Sequence, residues 1–271
     1  MSAIANPLTS LPPTEVPLAN APLVRVIGQV GFPLIMSIQS PEFIGPIQEA
    51  IRSVYPVLTR EMTRGFFVGP GGSLPLGALP MQQDVTWRFA DAREDWKWRV
   101  SLTSTFLALE TVAYSSRADF LARFRAIIEA MADRIDPKIV ERLGLRYIDR
   151  IERVTAEEVK ALVRPEILGL AGTEMAGAVT QSIHETLFSM EHAQLAVRGG
   201  LLPAFTTVDP SAIPPIAHPS WILDIDMFNS ESRPFEVGEL MEETQRFAER
   251  IYGFFRWAVT PDFLRRYGGV L

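Results

Sequence analysis

The run Val85-Thr86-Trp87-Arg88-Phe89, a polar stretch at residues 91–95, and then Trp96-Lys97-Trp98-Arg99-Val100-Ser101-Leu102-Thr103 decides the fold. Val85, Trp87 and Phe89 alternate with Thr86 and Arg88, and Trp96, Trp98, Val100 and Leu102 alternate with Lys97, Arg99, Ser101 and Thr103. Two alternating runs joined by a short polar turn make an antiparallel pair with one buried face. The alternation slips at Phe106-Leu107, as at a bulge or a strand buried on both faces.

Working outward, Val24, Val26, Val30 and Phe32 alternate with Arg25, Ile27 and Gln29, which reads as a strand. Phe43, Ile47, Ile51 and Val54 then fall at helical spacing after Pro41, and the helix is expected to end near Tyr55-Pro56. Residues 65–80 form a long apolar loop rich in Gly and Pro. Beyond the hairpin, Ser116 and Asp119 have capping-box spacing and open a helix carrying Leu121, Phe124, Ile128 and Met131, which Asp136-Pro137 breaks. A strand over 143–151 completes the order β-α-β-β-α-β, a ferredoxin-like pattern.

In the second half, Thr155 and Glu158 cap a helix expected to run to about Leu170. Residues 180–198 fit two strands or one helix, and strands are the preferred reading. A Pro-rich stretch at 203–219 precedes a strand at 221–228. A long helix over 236–258 carries the stripe Leu240, Thr244, Phe247, Ile251, Phe254 and Ala258, and Thr260-Pro261 caps a short final turn. The expected fold is therefore α+β: an antiparallel sheet with helices on one face, a ferredoxin-like first half, a smaller βββα second half and a long C-terminal helix. Residues 1–22 are expected to be a Pro-rich extended arm, free or lying on a neighbouring subunit. Residues 23–271 form one unit, with sub-halves 23–153 and 154–271 that share one sheet as a degenerate repeat.

The 271 residues carry a net charge of −6, no cysteine and three histidines. A thiolate nucleophile, a cysteine zinc site, an iron–sulfur cluster and a disulfide are excluded. The first 22 residues hold five prolines and no Lys or Arg, unlike a secretory signal, and no run is apolar enough to span a bilayer. A cytoplasmic protein without membrane contact is expected. Lysine occurs only at Lys97, Lys138 and Lys160, leaving 23 of the 26 basic residues as arginine; a GC-rich genome is the simplest reason.

Pro22-Leu23-Val24-Arg25 with Gln29-Val30 and Phe32, Tyr55-Pro56, Tyr114 with Ala118-Asp119-Phe120, residues 142–151, residues 222–226, and Phe255 with Val259-Thr260-Pro261 and the final glycines form a set of strings. Together they resemble a sporadically distributed bacterial family of uncharacterised function. At Asp149 such proteins more often carry asparagine. The resemblance spans nearly all of the chain after the arm and implies no reaction, cofactor or partner.

Three constellations bear on chemistry. Arg142, Arg146 and Arg150 share one side of their strand, and Arg25, Arg88, Lys97 and Arg99 lie on the non-apolar faces of theirs. Together they make a candidate anion site for a small molecule, an acidic partner or nucleic acid. The plainer reading is cross-strand pairing with Glu110, Asp149, Asp224 and Asp226. No aromatic residue interleaves with these arginines in the strand pattern, as a single-strand nucleic-acid binder would want. Asp224 and Asp226, at i and i+2, fit an acid/base or metal-holding pair, with surface carboxylates as the plainer reading. His184-Glu185 with Glu191-His192 resembles a metal set only if helical, and HETLF lacks the second histidine of HExxH. No phosphate loop, dinucleotide fingerprint or nucleophile elbow occurs.

Without a catalytic string or cofactor motif, the first expectation is a non-enzymatic binding or accessory protein acting through protein contacts or as a homo-oligomer. Phe247, Phe254, Phe255 and Trp257 cannot all face one core stripe, which leaves aromatic area for a partner. The alternative is an enzyme or binding protein for an anionic small molecule at the arginine face, and nucleic-acid binding there is weaker still.

Overall fold

The computed structural model describes residues 6–64 and 83–270. The Gly/Pro loop at 65–80 lies outside these residues.

Nine strands form one antiparallel sheet in the order β2-β3-β4-β5-β1-β7-β10-β9-β8. They are β1 Leu23–Gly31, β2 Val57–Arg64, β3 Gln83–Ala90, β4 Trp98–Leu102, β5 Phe106–Thr111, β7 Arg142–Glu152, β8 Ser182–Ser189, β9 Gln194–Leu202 and β10 Ser220–Asn229. A separate two-stranded pair joins β6 Ile139–Val140 to β11 Arg233–Pro234. The helices are α1 Pro41–Ile51, α2 Arg117–Arg134, α3 Ala156–Leu162, α4 Pro165–Leu168, α5 Val237–Ala258 and α6 Pro261–Arg266.

The hairpin at 85–102 is present as β3 and β4, with Arg88 opposite Ser101 and Trp87 opposite Leu102. Two features of that region differ from the sequence reading. The chain does not bulge at Phe106: residues 103–105 turn it back, tied by the Thr103 hydroxyl to the Thr105 and Phe106 amides, and β5 is a separate strand whose consecutive residues from Leu107 to Thr111 are all buried, the other alternative read from the sequence. Trp96 also leaves the alternation, because it precedes β4 in a turn that Asp95 enters with a positive φ of 51°. Its ring lies against Arg99 and Arg25 instead of facing the helices.

Strand β2 went unrecognised: Val57–Arg64 reads Val-Leu-Thr-Arg-Glu-Met-Thr-Arg, and its middle is too polar to show an apolar period. Helix α2 starts as read, with the Ser116 hydroxyl accepting the Asp119 amide. Thr155 and Glu158 form a full capping box, but α3 stops at Leu162 rather than near Leu170. Residues 180–198 are strands, as preferred.

Alternation along each strand sorts side chains between two faces. Val26, Leu145, Leu223 and Phe89 enter one continuous core with α1, α2 and α5. Gly28 on β1 lies beneath α2, where an added Cβ would stand 3.2 Å from Phe120 and Phe124, so the glycine permits close helix–sheet approach. The opposite face bears the arginines. Over its β7–β10 half lies the 203–219 segment, whose Ala212 and Ile213 pack with Ile148, Leu202 and Ile222 as a second small core.

Strand β7 is hydrogen-bonded along its length to both β1 and β10. From the centre outward, the sheet reads β1-β5-β4-β3 on one side and β7-β10-β9-β8 on the other. On each side the first strand is central and the last lies next to it.

Residues 6–22 lie on their own chain. Arg250 Nη1 donates to the Pro7 and Ser10 carbonyls, the Tyr252 hydroxyl accepts the Val16 amide, and the Asn20 amide donates to the Tyr267 carbonyl. The aromatic residues of α5 also find partners within the chain, with Phe255 and Trp257 left partly exposed. Phe254 meets Phe188 and Trp257, Phe255 meets Phe263 of α6, and Arg164 lies over Trp257.

Candidate functional site

Glu110 on β5 is the centre of the arginine face. Arg99 Nε donates to its Oε1 at 2.6 Å, Arg25 Nη1 donates to its Oε2 at 3.2 Å, and Arg88 Nη1 stands 3.8 Å from Oε1. The three basic residues arrive from β4, β1 and β3, whose registers place Arg99 opposite Glu110 and Arg88 opposite Ser101. Trp96 supports two of them, its ring centre lying 4.1 Å from the Arg99 guanidinium and 5.6 Å from that of Arg25. Burial pulls Arg25 below its usual pKa, and Glu110 offsets this in part.

The Arg25 Nε is buried without a hydrogen-bond partner among the described residues, while Nη1 also donates to the Ser211 carbonyl at 2.9 Å. Arg88 Nε lies 2.7 Å from Glu61 as an ion pair, without hydrogen-bond alignment. Arg25, Arg88, Arg99 and Glu110 line a pocket of about 410 Å³ with Arg146 and Gln29.

Arg146, on the neighbouring β7, grips Asp224 of β10 with Nε and Nη2, both at 2.7 Å, and its Nη1 reaches Asp209 at 2.9 Å. Burial alone would lower the Arg146 pKa, but the bonds and charges of Asp224 and Asp209 outweigh it and hold the guanidinium above its usual value. Asp209 in turn accepts the Ser211 and Ala212 amides, so this ion pair pins the 203–219 segment to the sheet. Arg142 donates to Asp226 at 3.1 Å and lies 4.7 Å from the Phe228 ring centre. Arg198 pairs with Glu185 at 3.2 Å and stands 3.8 Å from Asp224.

Of the sequence candidates, the pocket brings together Arg25, Arg88, Arg99 and Arg146. Arg142 and Arg150 lie outside it. Arg150 is buried, with Nε and Nη2 unpartnered among the described residues, and burial lowers its pKa. Asp224 and Asp226 do not face each other across an open gap, since each is engaged by its own arginine. Burial raises the Asp226 pKa against the pull of Arg142 and Arg146.

Among the described residues no group of three or more His, Asp or Glu side chains is arranged to hold a metal ion. His184 lies on a strand, with its Nε2 2.9 Å from Ser182 Oγ and 3.0 Å from the Leu168 carbonyl. His192 is exposed, 3.9 Å from Glu191 and from Glu231.

Asp149 is odd-numbered beside the even-numbered Arg142, Arg146 and Arg150, so it faces the helices and cannot pair with them. Aromatic support for the arginines comes from a turn (Trp96) and a neighbouring strand (Phe228), which a search along the arginine strands does not reach. Asp209 lies in a Pro-rich stretch that gave no signal at all.

Comparison of the chain with protein-family models, with curated proteins and with solved structures finds no match. Among the described residues no helix is long and apolar enough to cross a membrane.

Proposed function

We propose that this chain is a non-enzymatic binding protein for a small anionic molecule, seated in the pocket among Arg25, Arg88 and Arg99. One observation carries the reading: three arginines converge on a single buried glutamate beside a pocket of about 410 Å³. Glu110 and Trp96 hold the guanidiniums in place before any ligand arrives, which lowers the ordering cost of binding. The arginines left over from Glu110 present planar donors suited to carboxylate or phosphate. Charge over the wider face is balanced by Asp209, Asp224 and Asp226, which favours a compact anion over a nucleic-acid strand.

Calorimetry at low salt with inorganic phosphate, citrate and a nucleoside monophosphate tests this. Saturable binding of at least one anion is expected, weakened roughly tenfold or more in Arg99→Gln. No binding, or equal binding by wild type and Arg99→Gln, overturns it.

A second reading, self-association, rests on β8, which ends the sheet and pairs with β9 alone among the described residues. Light scattering that finds a monomer at every concentration would remove it. We also read β1-α1-β4-β5-α2-β7 as ferredoxin-like, with the β2–β3 hairpin inserted, because β7-β1-β5-β4 follows that fold's strand order.

A further inference from the structure

On the helix side of the sheet, beneath residues 15–21 of the arm, lies a second cavity of about 530 Å³. Its walls include Tyr114, Tyr147, Tyr252 and Phe255, and Asp149 is its one acidic side chain contributed by the sheet. Asp149 is only 6% exposed and makes no hydrogen bond or ion pair among the described residues. The other charged groups of the cavity are already matched, since Arg117 pairs with Glu15 of the arm and lies 3.9 Å from Glu249. The tyrosines do not serve the carboxyl either. The Tyr147 hydroxyl donates to Tyr114 at 3.4 Å, Tyr252 accepts the Val16 amide, and Tyr267 approaches from the C-terminal turn. Burial pushes the Asp149 carboxyl up to about 7, with no counter-charge to bring it down.

A buried carboxyl without a partner, walled by aromatic rings, lacks one thing: a cation with an apolar body. A guest ammonium would supply the missing charge and donors to Asp149, while the tyrosine and phenylalanine faces attract cations and cover hydrocarbon. We infer that this cavity is a binding site for a small organic ammonium ion, such as a primary arylalkylamine, with Asp149 as its anchoring carboxylate. The site shares no residue with the arginine pocket, so either assignment can fail without the other.

The test uses the full chain and three isosteric probes, benzylamine, benzyl alcohol and benzoate, followed by calorimetry or ligand-observed NMR. Benzylamine stays protonated throughout, so its affinity is expected to rise roughly tenfold or more from about pH 5.5 to about pH 8, as Asp149 ionises. Benzyl alcohol should bind without that dependence, and benzoate should be excluded at the higher pH. In Asp149→Asn the rise with pH should vanish. Should that variant fail to fold, the wild-type comparison of amine with alcohol still decides. Failure of benzylamine to bind at about pH 8 overturns the inference, as does pH-independent binding by wild type or unchanged binding by Asp149→Asn.

Discussion

The two faces of the sheet handle charge in opposite ways. On the open face, Glu110 has three arginine neighbours and Asp224 has two, and each close pair is held by strand register and often by a second hydrogen bond. On the helix face, Asp149 is as buried as Glu110, at 6% against 7% exposure, and has no ion-pair or hydrogen-bond partner among the described residues. Burial alone therefore does not decide the state of a carboxyl. Around Glu110 guanidiniums replace the water lost on burial, whereas nothing does so for Asp149, which burial pushes up to about 7.

The largest expected effect lies at Asp149. Its folded pKa of about 7 exceeds the ordinary aspartate value of about 4, so between these the native state holds a proton that the unfolded chain releases. That contribution is present at low pH and is lost as pH rises from about 4 to about 7, a swing of up to about 4 kcal/mol. Asp149→Asn, which cannot ionise, should match wild type near pH 5 more closely than at pH 8, where it should be the more stable protein by denaturant titration. The opposite sign, or no pH dependence, would place an unseen partner on the carboxylate.

Glu110→Gln breaks the other side of the comparison. Removing the shared acid leaves Arg25, Arg88 and Arg99 facing one another, and a loss of about 3 kcal/mol is expected, recovered in part by added phosphate or citrate. A neutral result would mean that the arginines are already well solvated. Trp96→Ala removes the ring beneath Arg99 and Arg25 and should cost about 1–2 kcal/mol, together with weaker anion binding. Tyr147→Phe should be the mildest, under about 1 kcal/mol, because its hydrogen bond to Tyr114 is long at 3.4 Å.

Much of this contrast is written in local pattern. The β3–β4 hairpin, the Ser116 and Thr155 caps and the stripe of α5 follow from alternation, hydroxyl placement and helical period, all of which act within a few residues. Strand β2 escaped because Thr59, Arg60 and Glu61 break any apolar period in a strand at the sheet edge. Helix α3 ended early because Pro165 follows Arg164, which adopts extended backbone and begins a new short helix. The candidate pocket was half legible: alternation put Arg25, Arg88 and Arg99 on the correct face, but which carboxylate they share depends on β5 lying beside β4 and β1. The cavity at Asp149 was legible only as a face, since its roof comes from the arm, far away in sequence.

Carbonyl-selective ¹³C NMR of aspartate-labelled protein, with Asp149→Asn to assign the resonance, tests the contrast most directly. The account predicts an Asp149 titration midpoint near 7 in the free protein, moving down when benzylamine is bound. A midpoint near the ordinary aspartate value of about 4 would contradict it.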